Sequence, residues 1–143
     1  MTEDERRAIE ADCEKLIRLY VNLNDAQDWE AVAALYTPDA RFARPSKPGE
    51  FVEGRAAILA SFTARPPRAQ RHIIANTVVD VEDADNARAF SVIVLYMGDV
   101  PEDGGLPVQD AKSPLIGTFT DRLVRTGEGW RFAERVGGLD FRP

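Results

Sequence analysis

The second half of this chain commits it to a sheet. Gln70-Arg71-His72-Ile73-Ile74-Ala75-Asn76-Thr77-Val78-Val79-Asp80-Val81 is long and β-branched enough to be one extended strand. Asp83, Ala84, Asp85 and Asn86 turn it back into Ala87–Met97, rich in Val, Ile, Phe and Tyr. Leu115–Arg125 and Gly129–Val136 form a last hairpin around Thr126-Gly127-Glu128-Gly129. Long strands that follow one another in this way pair as an antiparallel meander. Gly98–Pro114, with three prolines, three glycines and several acids, reads as a long exposed loop. Such loops often rim a binding site.

The first half is mostly helical. Thr2-Glu3-Asp4-Glu5 has the capping-box spacing, and its acids suit the positive end of a helix dipole. Ile9, Cys13, Leu16, Ile17, Tyr20 and Asn24 then recur at three- and four-residue steps, so one helix face is buried and the helix ends near Asn24-Asp25. Asp28 caps a second, shorter helix that buries Trp29, Val32, Ala33, Leu35 and Tyr36 and stops at Thr37-Pro38-Asp39. Ala40–Arg44 is a short strand, Pro45–Gly49 a loop and Glu50-Phe51-Val52 a second brief strand. Gly54 opens a third helix, with Ala57, Ile58, Ala60, Ser61 and Phe62 inward, and Pro66-Pro67 prevents its continuation. Three helices followed by a meander make an α+β domain, and residues 1–143 read as one domain with no internal boundary. To bury the helices' apolar stripes the sheet must curl around them, which leaves a conical cavity between the first helix and the long strands.

Composition narrows the partners. A hydrophobic share of 44% and a charged share of 29% are those of an ordinary globular protein. The net charge of −6 argues against nucleic acid and anionic membrane. No apolar run approaches the roughly 18 residues of a membrane span, and the acidic, helical start is unlike a signal peptide, so the expected location is cytoplasmic. One cysteine, Cys13, allows no internal disulfide and reads as a buried small hydrophobe. With one His and one Cys, no metal site of the usual ligand types is expected.

His72 is the only histidine, and histidine alone titrates unperturbed near neutral pH. Side chains alternate along a strand, so if Ile74 and Val78 face the core, His72 and Asn76 do too, roughly 13 Å apart at about 3.3 Å per residue. Tyr20 lies on the buried stripe of the first helix, and Asp25 just past its end. A carboxylate beside an imidazole holds one ring nitrogen protonated and makes the other more basic. A tyrosine hydroxyl can donate to a developing oxyanion. Each residue alone has a commoner structural use: a half-buried histidine at a strand start, a core tyrosine, an Asx turn.

The set as a whole resembles the SnoaL-like branch of the NTF2-like superfamily. The resemblance is carried by Tyr20 to Ala40 (YVNLNDAQDWEAVAALYTPDA), Glu53-Gly54-Arg55-Ala-Ala-Ile58, Arg71-His72-Ile-Ile-Ala-Asn76, and Asp121-Arg122-Leu123 with Gly129-Trp130-Arg131-Phe132. It implies a cone of strongly curved antiparallel sheet closed by three helices around a deep pocket, and homodimers formed through the sheet. In the dehydratases of this branch the tyrosine, aspartate and histidine matching Tyr20, Asp25 and His72 are active-site residues. Scytalone dehydratase uses a second histidine on the strand matching Ala87–Met97, where this chain has only Tyr96 or Met97. The paired acids of ketosteroid isomerases and the Arg/Asp pattern of limonene-type epoxide hydrolases are not recognisable. The resemblance therefore implies a cofactor-independent lyase or isomerase, acting on a hydrophobic ring-containing carbonyl compound. His72 is its expected base, Asp25 the orienting partner and Tyr20 the donor, while Asn76 and Tyr96 line the pocket. The alternatives are a binding protein with the same pocket and an accessory subunit resembling the β-subunit of ring-hydroxylating dioxygenases. A homodimer is expected because Phe119, Leu123, Trp130 and Phe132 exceed what one inner face requires.

Overall fold

The computed structural model describes residues 1–143. Helix α1 (Glu3–Asp25) begins at the expected capping box: the Glu5 N–H donates to the Thr2 hydroxyl at 3.1 Å and the Thr2 N–H to the Glu5 carboxylate at 2.7 Å. Its buried face is Ile9, Cys13, Leu16, Ile17, Tyr20, Val21 and Asn24. Helix α2 (Trp29–Ala34) and helix α3 (Arg55–Thr63) flank strand β1 (Tyr36–Ala43) and the two-residue β2 (Val52–Glu53). Trp29 of α2 stacks on Phe62 of α3 with centroids 5.4 Å apart. No helix is long and apolar enough to cross a membrane.

The second half forms β3 (Ala69–Val81), β4 (Asn86–Asp99), β5 (Val108–Gln109), β6 (Leu115–Thr126) and β7 (Gly129–Leu139). Strand order is β2-β1-β7-β6-β4-β3, with β5 paired to the end of β4. The meander is antiparallel as expected, but the curved sheet is mixed, because β1 runs parallel to β7. Two boundaries also differ from the sequence reading. The second helix stops at Ala34, and Tyr36 opens β1, where the Arg55 guanidinium donates to its carbonyl (Nε at 2.9 Å). Pro38 is tolerated inside β1 because the ladder to β7 breaks between Tyr36 and Arg41. In the expected 98–114 loop, β5 returns to pair Gly98 with Gln109. Helix α3 buries only Ile58 and Phe62; Ala57 and Ala60 are exposed.

Two bulges set which side chains face the helices. On β3, Ala75 pairs with Val92 but Val78 pairs with Phe90, so Asn76 and Thr77 oppose one residue. Asn76 takes φ 52°, a left-handed conformation that asparagine tolerates better than most residues. The phase flips there. His72 and Ile74 face inward, yet Val78 is 58% exposed and Val79 8%. On β7, Arg122 pairs with Glu134 but Leu123 with Phe132, leaving Ala133 as the extra residue. Phe132 and Ala133 are buried in succession, and the flip turns Arg135 inward.

Phe119, Leu123, Trp130 and Phe132 are all buried within the single chain, so they give no argument for a dimer. Arg135 is fully buried among them, its guanidinium carbon 3.8 Å from the ring centroid of Phe119, 4.3 Å from Tyr20 and 4.5 Å from Phe132. Desolvated cation–π contacts of this kind are worth about 2 kcal/mol or more. Its counter-charge is Asp121, directly across the β6–β7 ladder, with Nε and Oδ1 3.0 Å apart. The approach angle falls outside hydrogen-bond range, so attraction of charge holds the pair. Burial pushes the Asp121 carboxyl up to about 6, although Arg135 pulls the other way.

Replacing Asn76 by Val is expected to destabilise the protein by about 1–2 kcal/mol, with Asn76→Gly close to neutral; chemical denaturation measures both. A raised carboxyl favours the folded state while protonated, so Asp121's contribution is whole below pH ~4 and lost as pH rises through ~6. The unfolding free energy of the wild type, measured relative to Asp121→Asn, is therefore expected to fall between pH 4 and pH 7. A rise over that interval would contradict the assignment.

Candidate active site

The end of α1 is fastened to the start of β3 by side chains from both. Asp25, the last residue of the helix, has a side chain only 3% exposed. Its Oδ2 accepts the backbone N–H of His72 at 2.8 Å, and its Oδ1 lies 2.5 Å from Nδ1 of the same residue. Asn24 is buried beside it, and Gln70 Nε2 donates to the Asn24 carbonyl at 3.0 Å and to its side-chain oxygen at 2.7 Å. Gln27 Nε2 reaches the Arg68 carbonyl at 2.9 Å. The helix's last carbonyls lack intrahelical donors, and the Gln70 amide supplies one to Asn24.

An ionised carboxylate can only accept, so the tautomer that satisfies both groups carries the proton on Nδ1. Nε2 then keeps its lone pair. His72 lines a cavity of about 290 Å³, with Tyr20 in the same wall. Aromatic and aliphatic side chains, including Trp29, Phe42, Phe62, Phe119 and Leu95, make up much of the remainder.

Tyr20 is buried, with its hydroxyl 2.7 Å from that of Tyr36. Burial raises both phenols above their ordinary value, Tyr36 well above it, so both stay protonated near neutral pH. The Arg135 guanidinium over the Tyr20 ring opposes that shift for Tyr20. With Tyr36 donating to Tyr20, the Tyr20 proton is left for a ligand.

The structure thus brings His72 and Asp25 together and sets Tyr20 on the same cavity. It does not bring in Asn76 or Tyr96. Asn76 is exposed at the β3 bulge and points away from the helices. Tyr96 pairs with Arg71 on the outer face and is 37% exposed. Its neighbours Leu95 and Met97, partners of His72 and Gln70, line the cavity instead. Alternation from His72 through the β3–β4 register leads to those two residues.

Sequence reasoning missed five groups. Tyr36 lies in β1 rather than in the second helix, and its hydroxyl meets that of Tyr20. Arg44 lies just past β1, two residues after the inward Phe42, and Arg65 lies just past α3, three residues after Phe62; both arginines line the cavity. Asp121 sits in period-two alternation with Phe119 and Leu123, which signals an inward carboxylate. Arg135 had no such signal, because the bulge at Ala133 reverses the pattern before it.

Three solved structures similar to this chain carry the same fold. A putative scytalone dehydratase from Novosphingobium aromaticivorans superposes with a TM-score of 0.81 at 19% identity, over 98% of this chain and 89% of that one. A protein from Catenulispora acidiphila, in complex with S-DNPA, gives 0.71 at 24% identity over 91% and 92%. A putative aromatic ring hydroxylase from Novosphingobium aromaticivorans gives 0.73 at 23% identity over 92% and 89%. No curated protein matches the sequence significantly. The SnoaL-like domain family matches residues 5–136, nearly the whole of the chain and both halves of the site. This chain belongs to the SnoaL-like domain family.

Proposed function

We propose that this protein removes a proton beside the carbonyl of a hydrophobic ring compound, within a dehydration, isomerisation or cyclisation. The observation that carries the reading is the Asp25–His72 couple on an aromatic cavity. His72 Nε2 takes the proton, and the electron pair moves onto the carbonyl oxygen as an enolate. The Tyr20 hydroxyl donates a hydrogen bond to that oxygen, and the Asp25 carboxylate stabilises the imidazolium. The proton then leaves His72 with a departing hydroxyl, as water, or returns at another carbon. Every transfer uses side chains of this chain, so the reading calls for no cofactor. The NTF2-like cone, one domain with its deep pocket, is the vessel that keeps water away from the enolate. The relative that holds S-DNPA supports a small organic ligand as the occupant.

One observation favours a second reading, a binding protein without turnover. Asp25 also accepts the His72 backbone N–H, so the couple has a purely structural use as a clasp. Exchange of the α-protons of 2-tetralone in D2O, followed by NMR, separates the two. On the acid–base reading the protein accelerates exchange. His72→Ala loses about 10²-fold or more of that acceleration, and Asp25→Asn loses a smaller but clear part of it. Saturable binding of the ketone with no accelerated exchange by the intact protein would sink the catalytic reading and leave the binding one.

We also propose a homodimer formed through the outer face of the sheet. That face exposes Val78 (58%) and its cross-strand partner Phe90 (45%), with Ile73 (49%) farther along β3. Contiguous apolar surface of this kind marks interaction sites. Sedimentation at micromolar concentration should give twice the chain mass, and Phe90→Asp should give the monomer; a monomeric wild type would contradict the proposal.

A further inference from the structure

The cavity that holds His72 and Tyr20 also holds three arginines, and they are not equivalent. Arg68 is neutralised: its Nε lies 3.1 Å from Asp99 and its Nη1 3.4 Å from Asp110. Arg44 and Arg65 form no ion pair, and neither side chain donates to a protein acceptor. Arg65 Nε is buried with no hydrogen-bond partner, while the guanidinium carbon rests 4.4 Å from the Phe62 ring centroid. The ionisable groups acting on Arg65 are Arg44, which repels it, and then Tyr20 and Tyr36. Burial, with Arg44 second, pulls the Arg65 guanidinium down to about 10. It remains a cation at neutral pH.

Such an arrangement is costly in an empty protein. A buried donor without a partner is destabilising, more so when charged, and two like charges acting on one another add to that. The chain carries 24 acidic residues against 18 basic ones, yet none of the acids is used to neutralise this pair. A ligand that brings one negative charge between the two guanidinium groups removes both penalties at once. Paired arginines suit the oxygens of a carboxylate or sulfonate, which accept from the fork of each guanidinium.

We infer that Arg44 and Arg65 form an anion subsite in the cavity, and that the ligand is a hydrophobic ring compound carrying an oxyacid group of the carboxylate or sulfonate type. The inference deepens the acid–base reading and rests on it for the ligand's ring and carbonyl. The subsite itself follows from the unpaired charges. The apolar wall takes the ring, His72 and Tyr20 face the reacting carbonyl, and the arginine pair fixes the ligand's orientation by its charged end. Orientation of this kind converts binding energy into a productive pose.

Two fluorescent probes with one ring system test it: 8-anilinonaphthalene-1-sulfonate, which carries a sulfonate, and neutral N-phenyl-1-naphthylamine. The intact protein should bind the sulfonate at least about tenfold more tightly than the neutral probe. Arg44→Gln and Arg65→Gln should each weaken the sulfonate about tenfold, equivalent to about 1.4 kcal/mol, and leave the neutral probe within twofold. Arg44→Lys and Arg65→Lys, which keep the charge, should retain most of the sulfonate affinity. Thermal melting of each variant confirms folding. Equal affinities of the two probes, no saturable binding of the sulfonate, or Gln variants that leave its affinity unchanged would each overturn the subsite. Neither titration needs turnover, so failed proton exchange with 2-tetralone and failed anion selectivity are separate results.

Discussion

The molecule depends on how the end of α1 is tied to the start of β3. A carboxylate with a 3% exposed side chain is expensive to bury unless its lone pairs are met. Asp25 meets them with two donors of one residue, the backbone N–H and the Nδ1–H of His72. Gln70 and Gln27 extend the tie on either side through Asn24 and the Arg68 carbonyl. The helix and the strand therefore cannot separate locally without exposing an uncompensated carboxylate. The same bonds close one wall of the cavity and fix the imidazole's tautomer and plane. Structural demands and, on the proposed acid–base reading, chemical ones thus fall on one pair of side chains, so removing either partner tests both at once.

Much of this was legible in the sequence, and the parts that were not share a cause. The 3.6-residue period of α1 led to its buried face and to Tyr20 and Asp25. The long β-branched runs led to the meander, and the lone histidine to the cavity. What simple alternation cannot follow is a bulge. Asn76 opens one on β3, so the residue expected to face inward with His72 is exposed, and Val79 rather than Val78 joins the core. Ala133 opens another on β7 and buries Arg135. Tyr96 failed differently: its register with Arg71 places it outside, and only the pairing of β3 with β4 reveals that. The end of α2 was lost because Tyr36 is buried in either conformation, so hydrophobicity does not discriminate between them.

Charge was the least legible layer, since the fate of an arginine depends on neighbours that sequence spacing does not display. Three arginines near the cavity show the range. Arg68 has two carboxylates and is partly exposed, so it orders the β4–β5 region at modest energetic gain. Arg135 has one carboxylate and three aromatic rings and no access to water, and it serves the packing beneath Tyr20. Arg65 has an aromatic ring, a repelling arginine and no carboxylate. Packing alone does not account for that third case, because an uncharged side chain of similar length would cover Phe62 without the desolvation penalty. The unpaired charge becomes favourable only once a counter-charge enters from outside the chain. A protein of net charge −6 that keeps two such cations in its cavity is therefore better matched to an anionic ligand than to a neutral one.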